Sequence, residues 1–248
     1  MPNNIVNKLL DLNFLRKSIG FQAFLSSYSK NIRVKILEYP KKGRVLILAP
    51  HPDDEAIGLG GTIIKHIKRG DKLKIVYLTD NKKNRNLRTK EAKKAAKIMG
   101  VKKIEFCHFI DGKLSNGKKE IKKISSILLK FKPGIIYVPF FLDPHPDHQM
   151  TARVLKSVLK KSNYKADIYS YEVWTPLLAN RIIKIDDSIS KKILAIKTYK
   201  SQNKERGYLE ATIGLNSYRA GMYNAGERAE AFFKAGSKLY ISLIEKYI

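Results

Sequence analysis

Cysteine is almost missing from this 248-residue chain, since Cys107 is the only one. A single thiol excludes an intrachain disulfide framework, and it also excludes zinc sites built from several cysteines. Any metal must therefore be held by histidine and carboxylate ligands. The lack of disulfides also favours a reducing compartment, so we expect a cytoplasmic protein.

Long apolar runs are missing as well. The longest, such as residues 45–50 and 135–142, have the length of a strand rather than that of a helix that spans a bilayer. Residues 1–8 lack a basic region followed by an unbroken apolar stretch, so we expect no signal peptide. The hydrophobic content of 44% is nevertheless high enough for a globular core.

Acidic residues are scarce relative to basic ones. The chain has 22 Asp and Glu against 49 Lys and Arg, which gives a formal net charge of +27. Such a field attracts polyanions, including nucleic acid, anionic lipid and acidic glycans. The alternative is a lysine-rich surface without such a partner. Because the basic residues are spread along the whole chain, we favour the alternative and expect no specific nucleic-acid partner.

The pattern of the chain changes at about residue 43. Residues 1–43 are predicted to be an N-terminal extension, in which apolar residues recur at helical spacing: Ile5, Leu9, Leu12 and Ile19. This amphipathic helix would either lie on an anionic membrane surface, which would make the protein peripheral there, or pack on its own domain.

Residues 44–248 are predicted to form one domain in which strands and helices alternate. Strands are expected at residues 45–49, 73–78, 104–108, 135–139 and 166–174, with helices between them. This order predicts an α/β fold with a doubly wound, mostly parallel, Rossmann-like sheet. The segment from about Ser188 onward is expected to be mainly helical. The sequence is compatible with a homo-oligomer and does not specify one.

The strongest chemical signal is the sequence PHPDDE at residues 50–55, which directly follows a predicted buried strand. His51 and Asp54 are three residues apart on a tight turn, so both side chains can face one point. A neutral imidazole and a carboxylate oxygen are good zinc ligands. Asp53 lies between them and is free to act on a metal-bound water. The glycines at residues 58–61 lack the spacing of a nucleotide-binding loop, and the acidic cluster before them would repel phosphates.

A second signal, DPHPDH at residues 143–148, follows another predicted buried strand. A catalytic zinc site needs three protein ligands and one open position. His51, Asp54 and His148 would meet this requirement. Either motif alone could be a turn with a helix cap. Two such motifs at equivalent strand ends favour a metal site.

These motifs resemble those of the PIG-L/LmbE-like zinc deacetylases. The likeness covers about residues 44–234 and includes HPDDE with its trailing glycines, HPDH at residues 145–148, and later blocks at residues 172–176, 199–202 and 229–232. The resemblance implies hydrolysis of the N-acetyl group of an N-acetylglucosamine-type glycoconjugate, with one Zn²⁺ per chain. The alternative is a polyanion-binding protein that has kept the fold.

The resemblance also implies roles for individual residues. The implied zinc ligands are His51, Asp54 and His148, and the implied general base is Asp53. His145 would stabilise the oxyanion or act as an acid, and Asp147 would orient an imidazole. The positions that contact sugar hydroxyls correspond to Arg88 and Asp111.

Three further residues carry expectations from the sequence. Asp143 stands where some members carry a tyrosine, which argues against a tyrosine-assisted oxyanion site. We expect His66, which lies between lysines on a helix, at the surface. Trp174, the only tryptophan, would stack on a sugar ring or, as we favour, be buried against the sheet.

Overall fold

The computed structural model of the protein describes residues 33–203 and 207–248. The predicted helix at residues 5–19 lies outside these ranges, and the membrane contact expected of it stays a prediction. Among the described residues, no helix combines the length and the apolar character that crossing a bilayer requires.

Strands and helices alternate through most of the described chain. Eight strands and eight helices follow in this order: β1 (Lys35–Leu37), β2 (Arg44–Ala49), α1 (Asp54–Lys68), β3 (Lys72–Asp80), α2 (Arg85–Met99), β4 (Lys103–Ile110), α3 (Lys118–Phe131), β5 (Ile135–Pro139), α4 (Pro146–Ser162), β6 (Asp167–Tyr171), β7 (Arg181–Lys184), α5 (Ile189–Ile196), α6 (Lys200–Asn203), α7 (Tyr208–Tyr223), β8 (Ala229–Gly236) and α8 (Ser237–Tyr247).

One eight-stranded sheet organises the domain, with the strand order β1-β7-β8-β6-β5-β2-β3-β4. All neighbouring strands are parallel except for the two pairs that contain β8. The predicted doubly wound, mostly parallel α/β fold is confirmed. Strand β1 lies within the predicted N-terminal extension and pairs with β7 at the edge of the sheet.

The two faces of the sheet carry separate cores, as the alternation along β2 shows. Leu46 and Leu48 pack into one cluster with the helices on one face, and Val45 and Ile47 pack into the other. All four side chains are fully buried. Because successive side chains of a strand point to opposite faces, an unbroken apolar run is what a strand covered on both sides requires.

The segment after Ser188 is mainly helical, as predicted, but it also contains strand β8, which enters the sheet between β6 and β7. Its sequence, AEAFFKAG, shows no alternation of apolar and polar residues. The reason is that both faces of the strand are covered, so its first five residues are all buried. The buried set includes Glu230, a residue type that argues against a core strand.

Glu230 is buried because it caps a break in α1. The helix departs from helical geometry at Leu59, and the Glu230 carboxylate accepts hydrogen bonds from the backbone N–H groups of Gly61 and Thr62, at 2.9 and 2.8 Å. Lys192 neutralises it with an Nζ–Oε1 distance of 2.7 Å. A carboxylate at the start of a helical segment satisfies donors that have no partner within the helix. This contact ties the part of α1 that follows the break to strand β8.

His66 is fully buried, so its predicted surface position is wrong. Its Nδ1 lies 2.7 Å from Asp71 Oδ2 and its Nε2 lies 3.0 Å from the Tyr137 hydroxyl. The adjacent Lys65 is buried as well, with its Nζ donating to the backbone oxygen of Glu38 at 2.6 Å. The nearby Asp71 and two partners from distant segments, Tyr137 and Glu38, make burial of this polar pair tolerable.

Candidate metal centre and active site

The two histidine motifs lie side by side at one edge of the sheet. Strand β2 leads into residues 50–55 and β5 leads into residues 140–148, and these strands are parallel neighbours. Chain order reverses here, since β3 and β4 extend from β2 on one side and β6 follows β5 on the other. Crevices at such a switch point are where open α/β sheets bind ligands.

Asp54 brings the two motifs together. Its Oδ2 lies 3.3 Å from His51 Nδ1 and 3.4 Å from His148 Nε2. The same oxygen accepts a hydrogen bond from the backbone N–H of His51 at 2.8 Å. The three side chains are buried. The imidazoles outweigh the effect of burial, which alone would raise the pKa of Asp54, and hold that pKa well below its usual range.

The other ring nitrogen of each of these two histidines lies near further carboxylates, two for His51 and one for His148. His51 Nε2 lies 3.2 Å from Asp147 Oδ2 and 3.2 Å from Asp111 Oδ1. His148 Nδ1 lies 3.1 Å from Asp143 Oδ1. Burial lowers the pKa of His148, but Asp54 and Asp143 raise it more, to about 9. A ligand nitrogen facing inward with a carboxylate behind the ring is the usual arrangement of metal-binding histidines.

The residues present fit a zinc ion. Zn–N and Zn–O bonds of about 2.0–2.1 Å in a tetrahedron place ligand atoms roughly 3.3–3.4 Å apart, which matches the distances from Asp54 to both imidazoles. Neither ring nitrogen of the fully buried His148 has a hydrogen-bond partner of suitable direction. Ligand atoms of His51, His145 and His148 also lie within 4.8 Å of one another, which leaves His145 as a further potential ligand.

Asp53 lies at the start of α1 in a strained backbone conformation. Its φ is 127°, in a region that side chains other than glycine rarely adopt. Its N–H donates to Glu55 Oε2 at 3.1 Å, which helps to hold this conformation. Burial and the charge of Asp54 raise the pKa of Asp53, while Arg88, with Nη2 at 3.4 Å from Oδ1, opposes the rise. Strained residues of this kind cluster at functional sites.

His145 has a defined tautomer. The backbone N–H of Asp147 donates to its Nδ1 at 3.2 Å, so the proton of the neutral ring resides on Nε2. Burial and the neighbouring imidazoles of His51 and His148 lower the pKa of His145. A neutral ring that donates through Nε2 is the form this geometry favours.

An open cleft of about 330 Å³ leads to the cluster. Of the eight residues predicted for the site, six line it: His51, Asp53, Asp54, Arg88, Asp111 and His145. His148 and Asp147 are buried beneath it. The structure thus brings together all eight residues, while their individual roles stay predictions.

Trp174 was expected to be buried, but it is 43% exposed and lines the cleft with its ring centroid 6.3 Å from that of His145. Two residues went unrecognised in the sequence as parts of the site. Asp143, fully buried, lies behind His148. Glu55 contacts the Tyr199 hydroxyl besides Asp53, and burial raises its pKa to about 7. Both residues lie within the two motifs, and this position was the signal that could have found them.

The fold and the site together define a Rossmann-like α/β protein with a His/Asp centre able to hold one metal ion. The family model described as PIG-L, GlcNAc-PI de-N-acetylase, matches residues 46–159, which contain both motifs. The diacetylchitobiose deacetylase of Thermococcus kodakarensis is 30% identical over 213 residues, which cover 74% of this chain and 78% of that protein. The chain belongs to the PIG-L family of deacetylases.

Two further likenesses agree. A probable N-acetyl-alpha-D-glucosaminyl L-malate deacetylase 2 from Bacillus anthracis is 26% identical over 192 residues, which cover 64% of this chain and 80% of that protein. The structure of N,N'-diacetylchitobiose deacetylase from Pyrococcus horikoshii has a TM-score of 0.71 at 24% identity, covering 88% of this chain and 94% of that one. This second likeness shows a shared fold.

Proposed function

We propose that the protein is a zinc-dependent deacetylase that hydrolyses the N-acetyl group of an N-acetylglucosamine-containing conjugate and releases acetate and the free amino sugar. The observation that carries the proposal is the convergence of His51, Asp54 and His148 beside Asp53 at the base of an open cleft. The deacetylases named above, which act on such sugars or are described as doing so, support the substrate class.

His51, Asp54 and His148 would hold the zinc ion, which when bound supplies Lewis-acid activation of water and of the acetyl carbonyl. Asp147 fixes His51 from behind, because its Oδ2 lies 3.2 Å from Nε2 and accepts the N–H of Gly112 at 2.8 Å. An imidazole held by such a carboxylate keeps one tautomer and one orientation.

Asp53 is the general base of the proposal. Its carboxylate takes a proton from the attacking water and can pass it to the amine nitrogen as the amide bond breaks. Arg88 holds this carboxylate through Nη2 and is itself fixed by the backbone oxygen of Pro52 at 2.7 Å. Its charge opposes the rise in the pKa of Asp53 that burial and Asp54 cause, and in this way favours the ionised form that a base requires.

His145 stabilises the developing oxyanion as a neutral donor through Nε2–H. The cationic form that a general acid requires is disfavoured, because Nδ1 already accepts the Asp147 N–H and burial lowers the pKa. Asp111, half-buried at the wall of the cleft, can accept hydrogen bonds from sugar hydroxyls. Trp174 offers the face of an aromatic ring to the sugar.

The proposal is tested by measuring zinc content and acetate release from N-acetylglucosamine, diacetylchitobiose and an N-acetylglucosamine–malate conjugate. We expect about one zinc per chain and turnover of at least one conjugate. Asp53→Asn should keep its zinc but lose about 10²–10⁴-fold in kcat, because an amide cannot accept the proton. Asp167→Asn, a change at a surface ion pair with Lys41 and Lys234, is the matched control.

Two results would count against the proposal. If zinc-loaded protein releases no acetate from any of the three sugars, the proposed deacetylase activity is contradicted. Near-native turnover in Asp53→Asn would require another base.

A further inference from the structure

Asp143 is a fully buried carboxylate placed between the metal centre and the wall of the cleft. Its Oδ1 accepts the backbone N–H of His145 at 3.0 Å and lies 3.1 Å from His148 Nδ1. Its Oδ2 accepts the backbone N–H of Trp174 at 2.9 Å. One side chain therefore contacts a predicted metal ligand and a residue that lines the cleft, although Trp174 lies 31 residues further along the chain.

The contact of Asp143 with His148 Nδ1 is electrostatic, because the two atoms are close but not in the direction of a hydrogen bond. A carboxylate beside Nδ1 favours the tautomer with the proton on Nδ1. Nε2 then keeps its lone pair, and this is the atom that lies 3.4 Å from Asp54 Oδ2. Asp143 thus orients the nitrogen that would bind the metal.

The contact with Trp174 sets the start of the loop between β6 and β7. Val173 and Trp174 line the cleft. Further along, Glu172 fixes the same loop by accepting the backbone N–H of Leu177 at 2.8 Å and by pairing with Arg219. The Glu172 anchor does not involve the histidine motifs, whereas Asp143 contacts both this loop and His148 directly.

We propose that Asp143 is a positioning residue that couples occupancy of the metal site to the placement of Trp174 at the substrate cleft. The inference rests on the proposed function for its metal and its substrate. It adds a specificity role, because the aromatic wall that would meet the sugar is held in place through the carboxylate that orients a metal ligand.

An aspartate is required for this role because both oxygens accept. In Asp143→Asn only one oxygen remains. If it faces the Trp174 N–H, the amide NH₂ opposes the His145 N–H and His148 Nδ1. If it faces the histidines, the NH₂ opposes the Trp174 N–H. Either orientation therefore breaks the contact with Trp174 or the contacts with the histidines.

The test uses metal-free protein titrated with Zn²⁺ in competition with a chelator. Trp174 is the only tryptophan, so its emission reports the loop directly. Zinc should change this emission in the unaltered protein. Asp143→Asn should bind zinc about 10–100-fold more weakly, the usual effect of losing a carboxylate behind a ligand histidine, and should show a smaller emission change. Glu172→Gln alters the loop from its other anchor and should keep the zinc affinity of the unaltered protein.

Unchanged zinc affinity together with an unchanged emission response in Asp143→Asn would overturn the coupling. Circular dichroism establishes whether that variant folds. If it does not, the unaltered protein decides, because zinc binding without any change in Trp174 emission overturns the proposal. Neither readout needs a substrate. A protein that binds zinc but releases no acetate would contradict the proposed activity and leave the coupling standing, whereas a protein that binds no zinc would overturn both.

Discussion

A methyl group added at Gly58 should disturb both the packing of α1 and the metal centre. A Cβ built there would lie 2.6 Å from the backbone oxygen of Glu172 and would also overlap the ring of Tyr171. The backbone directly after strand β6, to which this oxygen belongs, cannot turn aside as a flexible side chain can. The helix must therefore retreat by roughly 1 Å to reach an ordinary contact distance. Overpacking of this kind costs about 1–3 kcal/mol of unfolding free energy.

The retreat of α1 carries Asp54 with it. Site residues must be held within about 0.5 Å of their working positions, so the zinc affinity of Gly58→Ala should fall along with its stability. Urea unfolding of the metal-free protein measures the stability, and chelator competition measures the zinc affinity. Gly214→Ala is the matched control. It lies within α7 with nothing within 4 Å of its new Cβ, so it should gain up to about 1 kcal/mol and bind zinc normally.

The reasoning about Gly58 would be refuted by a Gly58→Ala protein with the stability and zinc affinity of the unaltered chain. Such a result would mean that the glycines after the first motif do not serve close packing between helix and sheet.

Two further changes test the buried polar groups. Glu230→Ala leaves the fully buried Lys192 without its carboxylate, so it should lower the free energy of unfolding by about 3–5 kcal/mol. The double variant with Lys192→Met should recover part of that loss in urea unfolding. If the single and double variants lose the same unfolding free energy, the unpaired charge of Lys192 is not the cause. Burial lowers the pKa of His66 to about 4, so the unfolded chain takes up this proton first as the pH falls below about 6.5, and folding loses up to about 3 kcal/mol by pH 4. His66→Gln should remove this decline, which urea unfolding at several pH values measures. If the unfolding free energies of the two proteins fall in parallel as the pH is lowered, His66 is not the cause of the decline.

The parts of the fold that sequence could predict are those with strong local patterns. Strand β5 was predicted with its observed bounds, because an apolar run lies between Pro133 and a turn. The two histidine motifs could be placed at strand ends, and their meeting followed from parallel strands. Nothing local indicated that β2 and β5 are direct neighbours, which is a property of the topology.

The residues that were missed depend on partners from distant segments. Strand β8 has no alternation, and its Glu230 resembles a surface residue until Gly61, Thr62 and Lys192 are in place. His66 lies between lysines, and its burial depends on the distant Tyr137 as well as on the nearby Asp71. Polar groups of this kind are predictable only when the partners that satisfy them are known.

The position of β8 in the sheet has a consequence for the order of assembly during synthesis. Glu230 follows Gly61 by 169 residues, and its strand must enter between β6 and β7, which are made before it. At about 5–20 residues per second, the first motif leaves the ribosome on the order of ten seconds before this strand. During that interval the break in α1 lacks its cap, and β6 and β7 present unpaired edges. Both histidine motifs are therefore synthesised well before the strand that completes their framework, and the framework that would hold a metal is complete only after β8 has emerged.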